Sequence, residues 1–123
     1  MASTDVALKE AMMIEGAVGV ALVDYTSGMA LGTLGGGNDL DLNVAAAGNT
    51  EVVRAKIRAL KVLGIDDTVE DILITLKGQY HLLRLLSGPS TQGLFLYLVL
   101  DRGRANLAMA RHRLKRIEND IEV

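Results

Sequence analysis

Few residues of this 123-residue chain combine the type and the spacing that catalysis or metal binding requires. The two histidines, His81 and His112, are far apart and lack the spacing of metal ligands, so we interpret both as structural or exposed. The chain has no cysteine, which excludes thiolate metal sites and disulfides. Asp66 and Asp67 are adjacent in an expected loop and do not make an acid–base pair. These patterns predict no metal site.

The glycine-rich segment from Gly32 to Asn38 invites comparison with a phosphate-binding loop. It lacks the Gly-Lys-Ser/Thr ending of such loops and has no basic residue nearby. We therefore interpret it as a flexible turn that precedes a helix. Ser27 and Ser87 lack the sequence of a nucleophile elbow. None of these segments points to a catalytic site or to a cofactor.

The stretch from Leu40 to Leu63 is a long helix with one narrow polar side, which we call the polar arc. At about 100° per residue, the polar arc consists of Asn43, Thr50, Glu51, Arg54, Arg58 and Lys61. We expect it to lie away from the sheet as a docking surface for a partner. The alternative is an ordinary solvated helix face with an ion pair between Glu51 and Arg54 or Arg58.

The rest of this helix is apolar over more than half its circumference, whereas a helix on one core shows a narrower stripe. Its bulky side, suited to packing on a sheet, carries Leu42, Ala46, Val53, Ile57 and Leu60. Its small-residue side carries Val44, Gly48, Ala55, Ala59 and Val62. Asn49 and Lys56 lie between the two sides, where polar residues can fix the register of a partner. The pattern predicts a dimer, and the alternative is a helix wholly buried within a monomer.

The composition indicates one domain, residues 1–123, with an aliphatic core. Half of the residues are hydrophobic and the formal net charge is −2, which argues against nucleic acid or an anionic membrane as main partner. The N-terminal segment is acidic and is not a signal peptide. The longest apolar runs are far shorter than the ~20 residues of a membrane span. We expect a cytoplasmic protein.

Periodicity and turn residues predict the element order helix, two strands, helix, three strands, helix. The first helix ends at Gly16, and the predicted later elements are 17–24, 29–34, 40–63, 69–77, 80–87, 94–101 and 105–121. Strands 17–24 and 94–101 are apolar on both faces, so both should be central and covered on both sides. The predicted fold is α/β, a five-stranded, largely antiparallel sheet with one helix on one face and two on the other. Acidic residues near the C-terminus oppose the helix dipole, so the last turn, with Glu118, should fray.

Several segments in this order resemble the roadblock/dynein light-chain family, particularly its small stand-alone bacterial members. They are Ile14-Glu15-Gly16, Gly19 to Asp24, Ser27 to Leu31, the Ala-rich helix and, within it, Ala47 to Arg54. The resemblance runs over nearly the whole chain and implies a roadblock/profilin-like fold. It also implies a protein that is not an enzyme.

The resemblance further implies a dimer, formed with a second copy or with a roadblock paralogue. In the family, the third strands pair edge to edge and the second helices lie side by side, which here means residues 69–77 and 40–63. The implied dimer interface comprises Gly48, Asn49, Val52, Ala55, Lys56, Ala59, Val62, Ile72 and Ile74.

Family members act as scaffolds or regulators of small Ras-like GTPases or of motor complexes, and one bacterial gliding-motility member accelerates hydrolysis by its GTPase. The resemblance therefore implies that the polar arc docks a GTPase, and that Arg54 does not act as an arginine finger. The alternative is a purely structural subunit of a heteromeric complex. A ligand-binding domain would need converging polar groups in a pocket, which the sequence does not offer. We interpret the basic run from Arg111 to Arg116 as a solvated helix face, and the alternative is a contact with a secondary partner or with a membrane surface.

Overall fold

A five-stranded antiparallel sheet, covered by helices on both faces, forms the centre of the protein in a computed structural model, which describes residues 2–123. The elements are α1 (Thr4–Met12), β1 (Ala17–Asp24), β2 (Met29–Gly35), α2 (Leu42–Leu63), β3 (Asp71–Thr75), β4 (Gln79–Leu85), β5 (Leu94–Asp101) and α3 (Leu107–Asp120). The predicted element order and fold class are confirmed.

The strand order is β2-β1-β5-β4-β3, so β1 and β5 lie inside the sheet, as their doubly apolar sequences predict. Both strands have the predicted bounds, and every residue of β5 from Leu94 to Leu100 is buried. The two edges of the sheet are β2 and β3. One side of β3 pairs with β4, from Asp71 opposite Arg84 to Thr75 opposite Tyr80, and its other side has no strand partner within residues 2–123.

Two separate hydrophobic clusters show how the helices are divided between the faces of the sheet. On one face, α1 and α3 pack through residues such as Leu8 and Leu114 against Leu22 and Leu98. On the other face, α2 alone covers the sheet, and it packs against a cluster that includes Tyr97. The arrangement of one helix against two is therefore confirmed, and within residues 2–123 no second helix lies beside α2.

Side-chain caps explain where the long helix begins and ends. Asp41 Oδ1 accepts hydrogen bonds from the backbone N–H groups of Asn43 and Val44, at 3.0 and 3.1 Å. Such a cap typically contributes about 1 kcal/mol. Gly64 ends the helix in the left-handed region, with φ of 69°, which glycine adopts without steric strain. The helix therefore begins at Leu42 rather than at Leu40.

Other boundaries also differ from the prediction: β2 ends at Gly35, β4 is Gln79–Leu85, and β3 and α3 are shorter for local reasons. β3 begins at Asp71 rather than at residue 69, and it ends at Thr75 rather than at residue 77 because Leu76 N–H donates to the Gln79 carbonyl at 2.9 Å and closes the turn. α3 begins at Leu107 rather than at residue 105, because the side chain of Asn106 caps the helix by accepting from Met109 N–H.

Candidate functional site: the exposed faces of α2

The buried side of α2 is the bulky side that the sequence predicts to pack on the sheet. Leu42, Ala46 and Val53 are buried, while Ile57 and Leu60 are half-buried toward the C-terminal end. The helix therefore has a single core-facing side, and the remainder of its circumference is available for other contacts.

Thr50 is the one member of the polar arc that the structure removes from the surface. Its side chain is 2% exposed, and its hydroxyl donates to the Ala46 carbonyl at 2.8 Å. A threonine hydroxyl in a helix can donate a hydrogen bond to the carbonyl four residues earlier, so it can be buried without another partner. The interpretation of Thr50 as an exposed docking residue was therefore wrong.

The other five members of the polar arc, Asn43, Glu51, Arg54, Arg58 and Lys61, are exposed. The sequence predicts that the arc points away from the sheet, but in the structure it is tilted toward the sheet. Arg54 Nη2 donates to the Thr26 carbonyl at 3.1 Å, so the arc faces the turn between β1 and β2.

A cleft of about 510 Å³ opens between that turn and α2, and we call it the basic cleft. It is lined by Tyr25, Thr26, Glu51, Arg54, Ile57, Arg58 and Lys61. The Glu51 carboxylate is 4.0 Å from the Arg54 guanidinium, with both side chains largely exposed. An exposed pair of this kind contributes about 1 kcal/mol or less, so it does not fix the arginine strongly.

The β1–β2 turn that faces α2 is held by hydrogen bonds to one carboxylate. Asp24 Oδ1 accepts from the N–H of Thr26 at 2.8 Å and from its hydroxyl at 2.6 Å. The hydroxyl of Thr26, followed by its backbone N–H, holds the pKa of the Asp24 carboxyl below its ordinary value. The Thr26 carbonyl that receives Arg54 therefore belongs to an ordered turn.

The small-residue side of α2 is the most exposed apolar surface of the helix. Val62 is 83% exposed and Val44 is 68% exposed, although both are large hydrophobic residues. Of the residues in the implied helix–helix contact, Asn49 and Ala59 are half-buried, and the exposed ones are Gly48, Val52, Ala55, Lys56 and Val62. Exposed apolar residues that share one side of a helix are typical of a protein–protein contact.

A group of hydrogen-bonded polar side chains lies on the α2 side of the sheet, next to this face. The hydroxyl of Tyr97 and Nδ1 of His81 are 3.0 Å apart, and His81 Nε2 is 2.9 Å from Gln79 Oε1. Nearby on α2, Asn49 Nδ2 donates to the Ala45 carbonyl at 2.9 Å. Sequence reasoning missed this group because its members are distant in the chain.

The residues of β3 in the implied interface are half-buried. Ile72 and Ile74 pack against the α2-side cluster and lie opposite Leu83 and His81 of β4. The backbone of Leu76 donates to Gln79 and that of Glu70 accepts from Leu85, so by the two-residue period of a strand Ile72 and Ile74 also direct their backbone groups to β4. The backbone groups of Asp71, Leu73 and Thr75 then face the open edge. The structure thus brings the β3 edge and the sheet surface beside α2 close together.

The glycine-rich segment owes its composition to close packing. Gly35 and Gly36 have φ of 77° and 80°. A Cβ at Gly35 would lie 2.7 Å from the Val18 carbonyl oxygen, and one at Gly36 would lie 2.8 Å from that of Leu40. Only glycine fits these positions without a shift of the backbone.

Two ion pairs on the opposite face were also missed by sequence reasoning. Glu118 accepts from the Arg84 guanidinium at 2.9 Å, and its other oxygen accepts from Ser87 N–H at 2.8 Å. The expectation that the C-terminal turn frays at Glu118 is therefore wrong, because these contacts hold it to the sheet. Arg111, in the basic run, donates to both oxygens of Asp71. No sequence spacing links these partners.

Across residues 2–123 no group of three or more potential ligands comes together in a way that could hold a metal ion. His112 lies exposed on α3, and Asp66 and Asp67 are exposed in the loop after α2. In the same described range, no helix has the length and apolar character needed to cross a membrane.

Comparison with known proteins places this arrangement among solved structures. No protein-family model matches the chain, and no curated protein matches it. A Roadblock/LC7 domain from Streptomyces avermitilis superposes with a TM-score of 0.79 at 13% identity, over 96% of this chain and 93% of that one. MglB from Myxococcus xanthus gives a TM-score of 0.74 at 18% identity, over 92% and 83%.

An MglB structure described as having a tetrameric arrangement gives a TM-score of 0.76 at 20% identity, over 91% of this chain and 79% of that one. Identities this low carry the fold and no more, since one fold can host several functions. The family resemblance expected from the sequence is confirmed in the structural neighbours, and the chain has the roadblock fold.

Proposed function

We propose that the chain is a non-enzymatic dimeric regulator or scaffold of a small Ras-like GTPase. The observation that carries the proposal is the uncovered apolar side of α2, where Val62 and Val44 are 83% and 68% exposed. Monomeric proteins rarely expose large contiguous apolar surfaces, and those that occur commonly mark contact sites. The solved MglB structures share the fold, and one of them is described as tetrameric.

In the proposed dimer, the α2 helices of two subunits lie side by side and β3 of each subunit pairs with β3 of the other. Small residues such as Gly48 and Ala55 allow a close approach of the two helices. Ile72 and Ile74 would become fully buried once the β3 edges join. The second subunit is another copy of this chain or a roadblock paralogue, and the same surface serves for both.

The GTPase would dock on the polar arc, which in this proposal comprises Asn43, Glu51, Arg54, Arg58 and Lys61. Arg54 would position the partner rather than act on the nucleotide, because its guanidinium is bound to the Thr26 carbonyl. Regulation would then come from rearranging groups of the GTPase itself. A partner of this class implies a cytoplasmic location and a signalling role.

The second candidate is a purely structural subunit of a heteromeric assembly. It is favoured by the second sheet edge, β2, where Met29 is 67% exposed and Leu31 is 49% exposed. A protein with two free edges could join neighbours on both sides and have no effect on nucleotide hydrolysis.

GTP turnover separates the two candidates. The small Ras-like GTPases encoded in the same genome would be purified, and hydrolysis by each would be followed with and without an excess of this protein. The regulator predicts at least about a tenfold change in the rate for one GTPase, equivalent to about 1.4 kcal/mol in the barrier. Tight binding with an unchanged rate would favour the assembly subunit instead.

A further inference from the structure

We propose that the basic cleft binds an acidic segment of the partner protein, with two or more carboxylates placed on either side of an apolar side chain. The inference rests on the proposed function, since it gives the chemistry by which the docking surface recognises its partner. It rests on the placement of Arg54, Arg58 and Lys61 around one opening between α2 and the β1–β2 turn.

The basic cleft carries more positive than negative side chains. The whole chain carries a formal net charge of −2, yet three cationic side chains face a single carboxylate, Glu51, in this cleft. In the part of the chain that the structure describes, neither Arg58 nor Lys61 takes part in an ion pair. A concentration of positive charge on an acidic protein attracts a complementary acidic surface and speeds its association.

The cationic side chains of the basic cleft are spaced along the helix. Arg54 and Lys61 are seven residues apart, which on an α-helix corresponds to about 10 Å along the axis. Between them Ile57 is half-buried, and Tyr25 forms the opposite wall, where its ring stacks on Phe95 at a centroid distance of 6.4 Å. The cleft therefore offers separated cations around an apolar floor, which suits an extended segment better than a compact ion.

The position along α2 argues against a phosphate group as the intended ligand. The basic cleft lies along the C-terminal half of the helix, whereas phosphates bind preferentially at helix N-termini, where free N–H groups converge. Of the two arginines that line the cleft, Arg54 is the one that is hydrogen-bonded to the turn, through the Thr26 carbonyl. Its remaining donors are available for a carboxylate, which the planar guanidinium group can bind with two hydrogen bonds.

The test uses NMR spectroscopy of the ¹⁵N-labelled full chain. The protein is titrated with a blocked synthetic peptide that has two glutamates on each side of one leucine, with the matching glutamine peptide, and with inorganic phosphate. Two charge-reversal variants are compared, R58E/K61E in the cleft and K115E/R116E on exposed positions of α3. Both variants change the net charge by the same amount, so nonspecific attraction is controlled.

The proposal expects the glutamate peptide to shift the amide signals of Tyr25, Thr26 and residues 54–61. R58E/K61E should raise the Kd for the peptide at least about tenfold, while K115E/R116E should change it less than about twofold. Binding should weaken as salt is added.

Equal shifts with the glutamine peptide, shifts confined to α3, or shifts of the cleft by phosphate alone would each overturn the proposal. The titration contains no GTPase, so its failure is distinguishable from a failure of the proposed function. Loss of peptide binding with an intact effect on GTP turnover would reject the acidic segment and retain the regulator.

Discussion

The hydroxyl of Tyr97 lies 3.0 Å from Nδ1 of His81, on the side of the sheet that α2 covers. Gln79 Oε1 can only accept, so we assign the proton of the neutral ring to Nε2, and Nδ1 then accepts from Tyr97. Burial lowers the pKa of His81 below its ordinary value of 6.5, which favours this neutral form. In this arrangement the histidine is uncharged and lies beside the proposed dimer contact.

This histidine should make the folded protein less stable as the pH is lowered. Its pKa is lower in the folded than in the unfolded protein, so the unfolded chain takes up the proton first as the pH drops below 6.5. The stabilisation is complete above that value and is lost toward the folded pKa. We expect the free energy of unfolding to decrease between about pH 7.5 and about pH 5.5, and the decrease to be smaller in His81→Gln.

Urea denaturation at the two pH values measures this difference. The matched control is His112→Gln. It changes the second histidine of the chain, which lies on the exposed side of α3. If His81→Gln and the wild type lose the same stability over this range, then His81 does not titrate as described.

The proposed helix contact makes a prediction at Ala59. Ala59→Glu or Ala55→Arg would place an unpaired charge where two α2 helices approach closely. We expect either change to weaken dimerisation by at least about 3 kcal/mol, roughly a hundredfold in Kd. Analytical ultracentrifugation gives the mass of each variant. The control is Ala108→Glu, an equivalent change at an exposed position of α3. A full dimer in both contact variants would show that the faces of α2 have been assigned wrongly.

The extent to which this fold is predictable from sequence follows from the range of the interactions involved. β1 and β5 had the predicted bounds because a central strand is apolar on both faces, which is a local pattern. Thr50 was misplaced because periodicity counts it as polar, whereas its hydroxyl bonds within its own helix. Glu118 was misread because the helix dipole is local while Arg84, its partner, is 34 residues away.

Glu118 should therefore contribute to stability despite its position near the C-terminus. Its side chain is 7% exposed and bonds to both Arg84 and Ser87, so its removal leaves the Arg84 charge unpaired. We expect Glu118→Ala to lower the free energy of unfolding by about 3 kcal/mol. Chemical denaturation of this variant is compared with Glu122→Ala, an exposed acidic position in the same segment. Equal stabilities of the two variants would contradict the role of this ion pair.

Arg54 and Arg58 of the polar arc allow a direct test of the docking of a GTPase. The immobilised wild type and the Arg54→Glu/Arg58→Glu variant are exposed to native lysate loaded with GTP or with GDP, and the retained proteins are identified by mass spectrometry. We expect the wild type to retain a small Ras-like GTPase mainly in one nucleotide state, and the variant to lose at least about nine-tenths of it. Retention of no GTPase, or of the same proteins by both variants without nucleotide preference, would contradict it.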